Sequence, residues 1–132
     1  MKLAILLTLL AMCELSIAST IEGKVVRVSD GDTITLLDEA KTQSKVRLNR
    51  IDAPEKKQAF GEVSRKHLAS FVTNGIVKVE WAKKDKYGRI LGDVFVGELN
   101  VNLQMVKDGL AWHYKNFDNT KEFAIAENEA RK

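Results

Sequence analysis

The sequence predicts an α+β domain, a small five-stranded β-barrel carrying three helices. Three observations lead there. Five β-branched or alternating runs are bounded by turn residues, one stretch of helical spacing follows the third run, and two more helical stretches close the chain.

The N-terminus comes first. Met1-Lys2 precedes the apolar run Leu3 to Met12 and then Ser16-Ile17-Ala18, the pattern of a charged n-region, an h-region and a small-x-small cleavage site. The run is too short to cross a bilayer and has no polar face, so a signal peptide over residues 1–18 and one folded domain over 19–132 are expected, with a secreted or periplasmic location. The single cysteine, Cys13, lies in this segment, so the mature chain needs no disulfide. Lipoprotein anchoring at Cys13 is the less favoured alternative, because an acylated cysteine normally follows a small residue and Met12 is not one. No later apolar run is long enough to span a membrane. What remains of the 132 residues is one domain, 45% hydrophobic and 30% charged over the full chain, with monomer the default at this size. A net charge of +3 mildly favours a polyanionic partner without establishing one.

In the mature chain, Ile21 to Ser29 alternates with Val25, Val26 and Val28, and Asp30-Gly31 signals a hairpin into Thr33-Ile34-Thr35-Leu36-Leu37. A third strand, Lys45 to Ile51, alternates apolar and basic side chains and so puts its basic residues on one face; it must end before Pro54, the only proline. Phe60, Leu68, Phe71 and Val72 recur at near-helical spacing up to Asn74-Gly75, a stop with glycine expected in the left-handed cap position. Ile76 to Trp81 and Ile90 to Val96 are the last two strands, joined by a polar turn through Tyr87-Gly88-Arg89. Val101, Met105 and Val106 mark a short helix ending at Gly109, and Lys121 to Arg131 a last one through Phe123, Ala124, Ala126 and Ala130. A five-stranded barrel with an inserted helix matches the OB architecture, which commonly binds oligonucleotides, although fold alone does not establish function.

Taken singly, the polar clusters have ordinary explanations. Asp30-Gly31-Asp32-Thr33 reads as a hairpin turn, Asp52-Ala53-Pro54-Glu55 as a strand end and helix entry, Tyr87-Gly88-Arg89 as a solvated turn and Arg47 as a snorkelling strand residue. Their combination is more specific. Asp-Gly-Asp-Thr, Val46-Arg47-Leu48, Asp-Ala-Pro-Glu, Asp85-Lys86-Tyr87-Gly88-Arg89 and Val101-Asn102 to Gly109-Leu110-Ala111, in that order, resemble the staphylococcal nuclease (thermonuclease) family over nearly the whole mature chain.

The resemblance implies a Ca2+-dependent nuclease that hydrolyses phosphodiester bonds of DNA and RNA by in-line water attack, leaving 3'-phosphate ends. Asp32 and Asp52 would bind calcium through carboxylates and Ala53 through its backbone carbonyl, a donor set that suits a hard cation. Asp30 would orient a metal-bound water. Zinc is disfavoured, since only His67 and His113 remain and the mature chain has no cysteine. By the same resemblance Glu55 would be the general base, and Arg47 and Arg89 would clamp the phosphate with the planar fork that lysine lacks. Lys86 and Tyr87 would contact a terminal phosphate, and Tyr114 would stack on a base. His67 and His113 read as ordinary surface or packed histidines.

Two departures stand out. The connection from Glu55 into the first helix, through Lys56-Lys57-Gln58, is shorter than the mobile loop of the staphylococcal enzyme, and residues after Arg131 lack the family's usual Gly-Leu-Trp ending, which puts the docking of the last helix in question. The main rival function is a catalytically inactive OB-fold module that binds nucleic acid or protein; the presence of Glu55 and both arginines argues against it.

Overall fold

The computed structural model describes residues 18–132; apart from Ala18, the expected signal peptide, with Cys13, lies outside the described residues. The elements are β1 (Ser19–Asp30), β2 (Thr33–Leu37), β3 (Gln43–Leu48), β4 (Ile51–Asp52), α1 (Gly61–Val72), β5 (Ile76–Lys84), β6 (Ile90–Val96), β7 (Leu99–Asn100), α2 (Val101–Lys107), β8 (Trp112–His113) and α3 (Lys121–Ala130).

β1 pairs antiparallel with β5 through Ser19 to Lys24 and with β2 through Lys24 to Asp30, so one long strand serves two neighbours. Register shifts between Val25 and Arg27 and between Val28 and Asp30 bend it as it passes from one to the other. β2 pairs with β3, β5 with β6, and a parallel pairing of Val46 to Leu48 with Ile90 to Gly92 closes the ring. The five strands β1, β2, β3, β6 and β5 therefore form the expected closed barrel, with all three helices present. Ile34, Leu36, Val46, Leu48, Val77, Val79 and Val94 fill its interior, and Leu68, Val72, Val101, Met105 and Val106 extend that core onto α1 and α2. β4 and β8 form a separate two-stranded ribbon over the barrel mouth, with Ile51 opposite His113 and Asp52 opposite Trp112.

Three local expectations need correction. The third strand stops at Leu48 because Arg50 adopts φ 71 and turns the chain, so Ile51 begins a new strand. Phe60 is outside α1: it is the residue before the first helical turn, at φ 61, and its side chain is exposed. Gly75, at φ 139, lies beyond the helix cap at Thr73 and is not a left-handed cap. Gly109 is one: at φ 73 it donates to the Val106 carbonyl while Leu110 N–H reaches back to Met105, which closes the last turn of α2.

One buried side chain ties α2 to the barrel. Asn102 accepts the Val94 N–H at 3.0 Å and donates to the carbonyls of Asn49 at 2.9 Å and Gly92 at 3.0 Å. α3 is docked by Phe123, Ala126 and Glu127, all buried. The Glu127 Oε2 accepts the His113 N–H at 2.7 Å, and Oε1 forms ion pairs with Lys115 at 2.6 Å and Arg131 at 3.4 Å. Burial alone would raise the Glu127 carboxyl, but Lys115, the His113 N–H and Arg131 outweigh it and hold the group below its ordinary value. Asp118 behaves alike, its burial opposed by His113, Thr120 and Arg50.

Replacing Asn102 by Ala leaves its backbone partners unsatisfied, and urea unfolding should show a loss of about 2–4 kcal/mol. Because Glu127 and Asp118 are depressed in the folded state, their contribution is fully present above the ordinary carboxylate pKa of about 4 and is lost as pH falls through the lower folded values. Urea midpoints should therefore hold steady from pH 7 to about pH 5 and drop below pH 4, with a smaller drop in Glu127→Gln.

Candidate active site

The site lies where the β1–β2 turn, the end of β3, β4 and the β5–β6 hairpin meet at one mouth of the barrel. The β1–β2 turn contributes Asp32. Its Oδ1 accepts the Thr33 hydroxyl at 2.8 Å and its Oδ2 the Ala53 N–H at 2.9 Å, while its carbonyl accepts Leu48 N–H at 2.8 Å. The glycine of this turn is required by space rather than by a left-handed backbone. A Cβ on Gly31 would lie 1.8 Å from the Ser64 hydroxyl of α1 and 3.0 Å from the Ala53 Cβ, so only glycine lets the helix press against the acidic turn. Ser64, itself fully buried, donates to the Leu110 carbonyl at 2.7 Å.

Arg47 occupies the centre. Its Nη1 donates to the carbonyls of Leu48 at 2.7 Å and Ile51 at 2.9 Å, and its Nη2 is 3.4 Å from both Asp32 Oδ2 and Asp52 Oδ1. One end of the guanidinium is thus fixed in the backbone, and the other faces two carboxylates through contacts too long to be strong hydrogen bonds. Asp52, half exposed, is pushed above its ordinary value by partial burial and by Asp32 and Glu55, with Arg47 opposing. A carboxyl in that state gains from a cation.

Among the described residues no group of three acidic, histidine or cysteine side chains could enclose a metal ion by themselves. The donors brought together are Asp32, Asp52 and the Ala53 main chain, whose N–H is already bound to Asp32 and whose carbonyl is the group left over. Two carboxylates, one of them half exposed, and a carbonyl are the oxygen donors that suit a hard cation such as calcium.

Glu55 stands on the loop between β4 and α1, exposed and near enough to raise Asp52. That loop is well tied. Glu55 N–H donates to the Gln58 side chain at 2.8 Å, Gln58 N–H returns to the Glu55 carbonyl at 2.8 Å, and Lys56 N–H donates to Asp30 Oδ1 at 2.9 Å. Asp30, expected to orient a water, thus also anchors the residue after Glu55. A Cβ on Gly61 would meet the Glu55 carbonyl at 1.9 Å, so the start of α1 also rests on the loop.

Arg47, Lys86, Tyr87, Arg89 and Tyr114 share the walls of one cleft of about 530 Å³. Arg89 is positioned by Asp85, which the sequence reading left without a role. The Asp85 carboxylate accepts Arg89 Nε at 2.7 Å and the N–H groups of Arg89 and Tyr87 at 2.9 Å. Partial burial opposes ionisation of Asp85, but these donors outweigh it and lower its pKa. Both terminal nitrogens of Arg89 are left without a protein acceptor among the described residues. Tyr87 is flanked by the Lys86 ammonium and the Arg89 guanidinium, 5.1 and 5.6 Å from its ring centre. Tyr114 packs against Phe117 at 4.5 Å between centroids, and its N–H donates to the Arg50 carbonyl. Arg50, Lys83 and Phe117 also line the cleft and were not anticipated. Phe117, three residues after Tyr114, carried only a faint signal, and Arg50 none beyond its charge. His113 is buried with Nε2 2.8 Å from Asp118, and His67 pairs with Asp108 at 2.7 Å near the surface, so both are structural.

A family model described as staphylococcal nuclease homologue matches residues 45–132. The chain is 44% identical over 108 residues to an uncharacterized endonuclease of Haemophilus influenzae, covering 82% of this chain and 61% of that protein, so it spans about three-fifths of that relative's length. It is 43% identical over 116 residues to an uncharacterized endonuclease of Escherichia coli, covering 87% and 75%. With a micrococcal nuclease of Shigella flexneri it shares 40% identity over 116 residues, 81% of this chain and 66% of the other. Since the family match begins in β3 and runs past α3, taking in Arg47, the Glu55 loop and the Asp85–Arg89 hairpin, the chain belongs to the staphylococcal nuclease family.

Proposed function

We propose that this protein is a Ca2+-dependent nuclease, exported to a secreted or periplasmic location by its N-terminal segment, that hydrolyses phosphodiester bonds of DNA and RNA and leaves 3'-phosphate ends. The observation that carries this reading is the convergence of Arg47 with Asp32 and Asp52 at one focus, beside an exposed Glu55 on a tied loop.

Calcium, held by Asp32, Asp52 and the Ala53 carbonyl, would polarise the scissile phosphate and offset its negative charge. Glu55, with no protein donor on its carboxylate among the described residues, is free to orient a water and accept its proton as the water oxygen bonds to phosphorus. The bond from phosphorus to the 5'-oxygen breaks in line with that attack, and the departing oxygen takes a proton from solvent. Arg47, with Nη1 fixed by two carbonyls, presents Nη2 to a phosphate oxygen, and Arg89 presents the terminal nitrogens that Asp85 leaves free. Both charges are in place before reaction, which is where such stabilisation is most effective. Lys86 and Tyr87 can bind a neighbouring phosphate, and Tyr114 a base.

Three measurements bear on this reading. Hydrolysis of single-stranded DNA by the mature chain should require calcium, vanish in chelator, and fall by about 10²–10⁴ in Glu55→Gln and about 10²–10³ in Arg89→Ala, each checked for folding. Salt-sensitive binding without cleavage by folded wild type would instead favour an inactive OB-fold binding module. Calcium at about a hundredfold its Kd should stabilise the fold by about 2.7 kcal/mol, and Asp52→Asn should abolish that gain without weakening the calcium-free protein. The apparent calcium affinity should decrease as pH falls through the raised range of Asp52, because proton and cation compete for one carboxylate; calorimetric titration at two pH values would measure it.

A further inference from the structure

Phe60 and Trp112 are large aromatics left in the open, 74% and 50% exposed, and both line an apolar pocket of about 260 Å³. Pro54, Ala59 and the Gly109–Ala111 segment complete its walls. Nothing in the mechanism above uses it. Phe60 is held there at a conformational cost: an aromatic residue at φ 61 is an unusual backbone, sustained here by the loop that ties Glu55 to Gln58.

The position of the pocket is given by the β4–β8 ribbon. Tyr114 N–H bonds the Arg50 carbonyl, His113 pairs with Ile51, and Trp112 pairs with Asp52. Moving along the ribbon, the Arg47–Arg89 cleft borders Arg50, Ile51 and Tyr114, then comes Asp52, and then the pocket borders Pro54 and Trp112. The acidic focus therefore lies between cleft and pocket. Trp112 lines the pocket and Tyr114 lines the cleft, two residues apart in the chain on either side of the buried His113. The loop joining Glu55 to Phe60 carries exposed Lys56 and Lys57, a charge suited to phosphates.

We propose that the Phe60–Trp112 pocket is a second nucleobase subsite, which takes a base of the substrate strand on the far side of the scissile phosphate from the Tyr87–Tyr114 cleft. The inference rests on the nuclease reading. Apolar walls and two aromatic faces suit a stacked base of any identity, the flanking lysines suit its backbone, and a paired duplex could not splay its bases into both places. The subsite thus assigns the enzyme a strand that crosses the acidic focus with bases held on both sides, which favours cutting within single strands.

Wild type, Trp112→Ala, Trp112→Phe and Phe60→Asn are compared on a short reporter, thymidine 5'-(methyl phosphate), which carries one base and no aromatic group beyond the scissile phosphate, and on a thymidine octamer. Asparagine tolerates the left-handed backbone at Phe60, and both side chains are exposed enough for the variants to fold. In Trp112→Ala and Phe60→Asn the loss of kcat/KM on the octamer should exceed that on the reporter by about tenfold and reside in KM, and Trp112→Phe should recover most of it. Equal losses on both substrates, or none, overturn the subsite. So does self-association abolished by Trp112→Ala with octamer cleavage intact, which would assign the pocket to a second copy of the chain. If wild type cleaves neither substrate the nuclease reading fails, and octamer binding in chelator decides the pocket separately. In a Trp81→Phe background, saturable quenching of Trp112 emission supports it and unchanged emission overturns it.

Discussion

The site depends on how Arg47 is held. Its Nη1 is fixed by the carbonyls of Leu48 and Ile51, on either side of the turn that ends β3 and begins β4, and its Nη2 faces Asp32 and Asp52. A side chain only 12% exposed brings to one point the β1–β2 turn, the third strand and the ribbon strand β4. Without that positive charge the barrel mouth would hold two carboxylates with little to compensate them, which partial burial makes costly. The arrangement is still not one of least charge repulsion. The raised carboxyl of Asp52 marks a site left short of positive charge, in contrast to Asp85, Asp118 and Glu127, which are fully compensated and lowered. The carboxylates of Asp85, Asp118 and Glu127 are paired with donors, whereas Asp52 keeps a raised carboxyl at the barrel mouth.

Close packing carries that focus outward. α1 lies against the acidic turn because Gly31 has no side chain in front of Ser64, and against the Glu55 carbonyl because Gly61 has none. The short connection after Glu55, which by length alone looks like a lost mobile loop, is a compact turn bonded to itself through Gln58 and to the barrel through Asp30. Glu55 is thereby presented from a rigid base while its carboxylate stays in water.

The far wall of the cleft is built from the C-terminal part of the chain. Arg50 donates to Asp93, Asp118 and Thr120 and accepts Tyr114 N–H through its carbonyl, so the aromatic pair Tyr114 and Phe117 is set by residues from β6 to the start of α3. α3 is fastened through Phe123, Ala126 and Glu127, the last of which holds the His113 N–H from below. Docking of this helix is thus linked to the shape of the substrate wall.

The strands were legible because alternation with a period of two is enforced by the barrel itself; β2 and β6 fall where the pattern places them, and the acidic turn, Arg47, the Glu55 segment and the Asp85–Arg89 hairpin were found by their order along the chain. Local sequence also determined the stop at Gly109. It could not say that Gly31 and Gly61 are there for close approach, because the atoms they avoid belong to other elements. Nor could it separate β4 from β3, expose Phe60, recruit Asp85, Arg50 and Phe117 to the cleft, or make Asp30 an anchor for the Glu55 loop. Those properties arise from contacts between segments far apart in sequence, whereas alternation, turn chemistry and motif order are written in neighbouring residues. Tertiary structure alone decided which charges are compensated and which are left exposed.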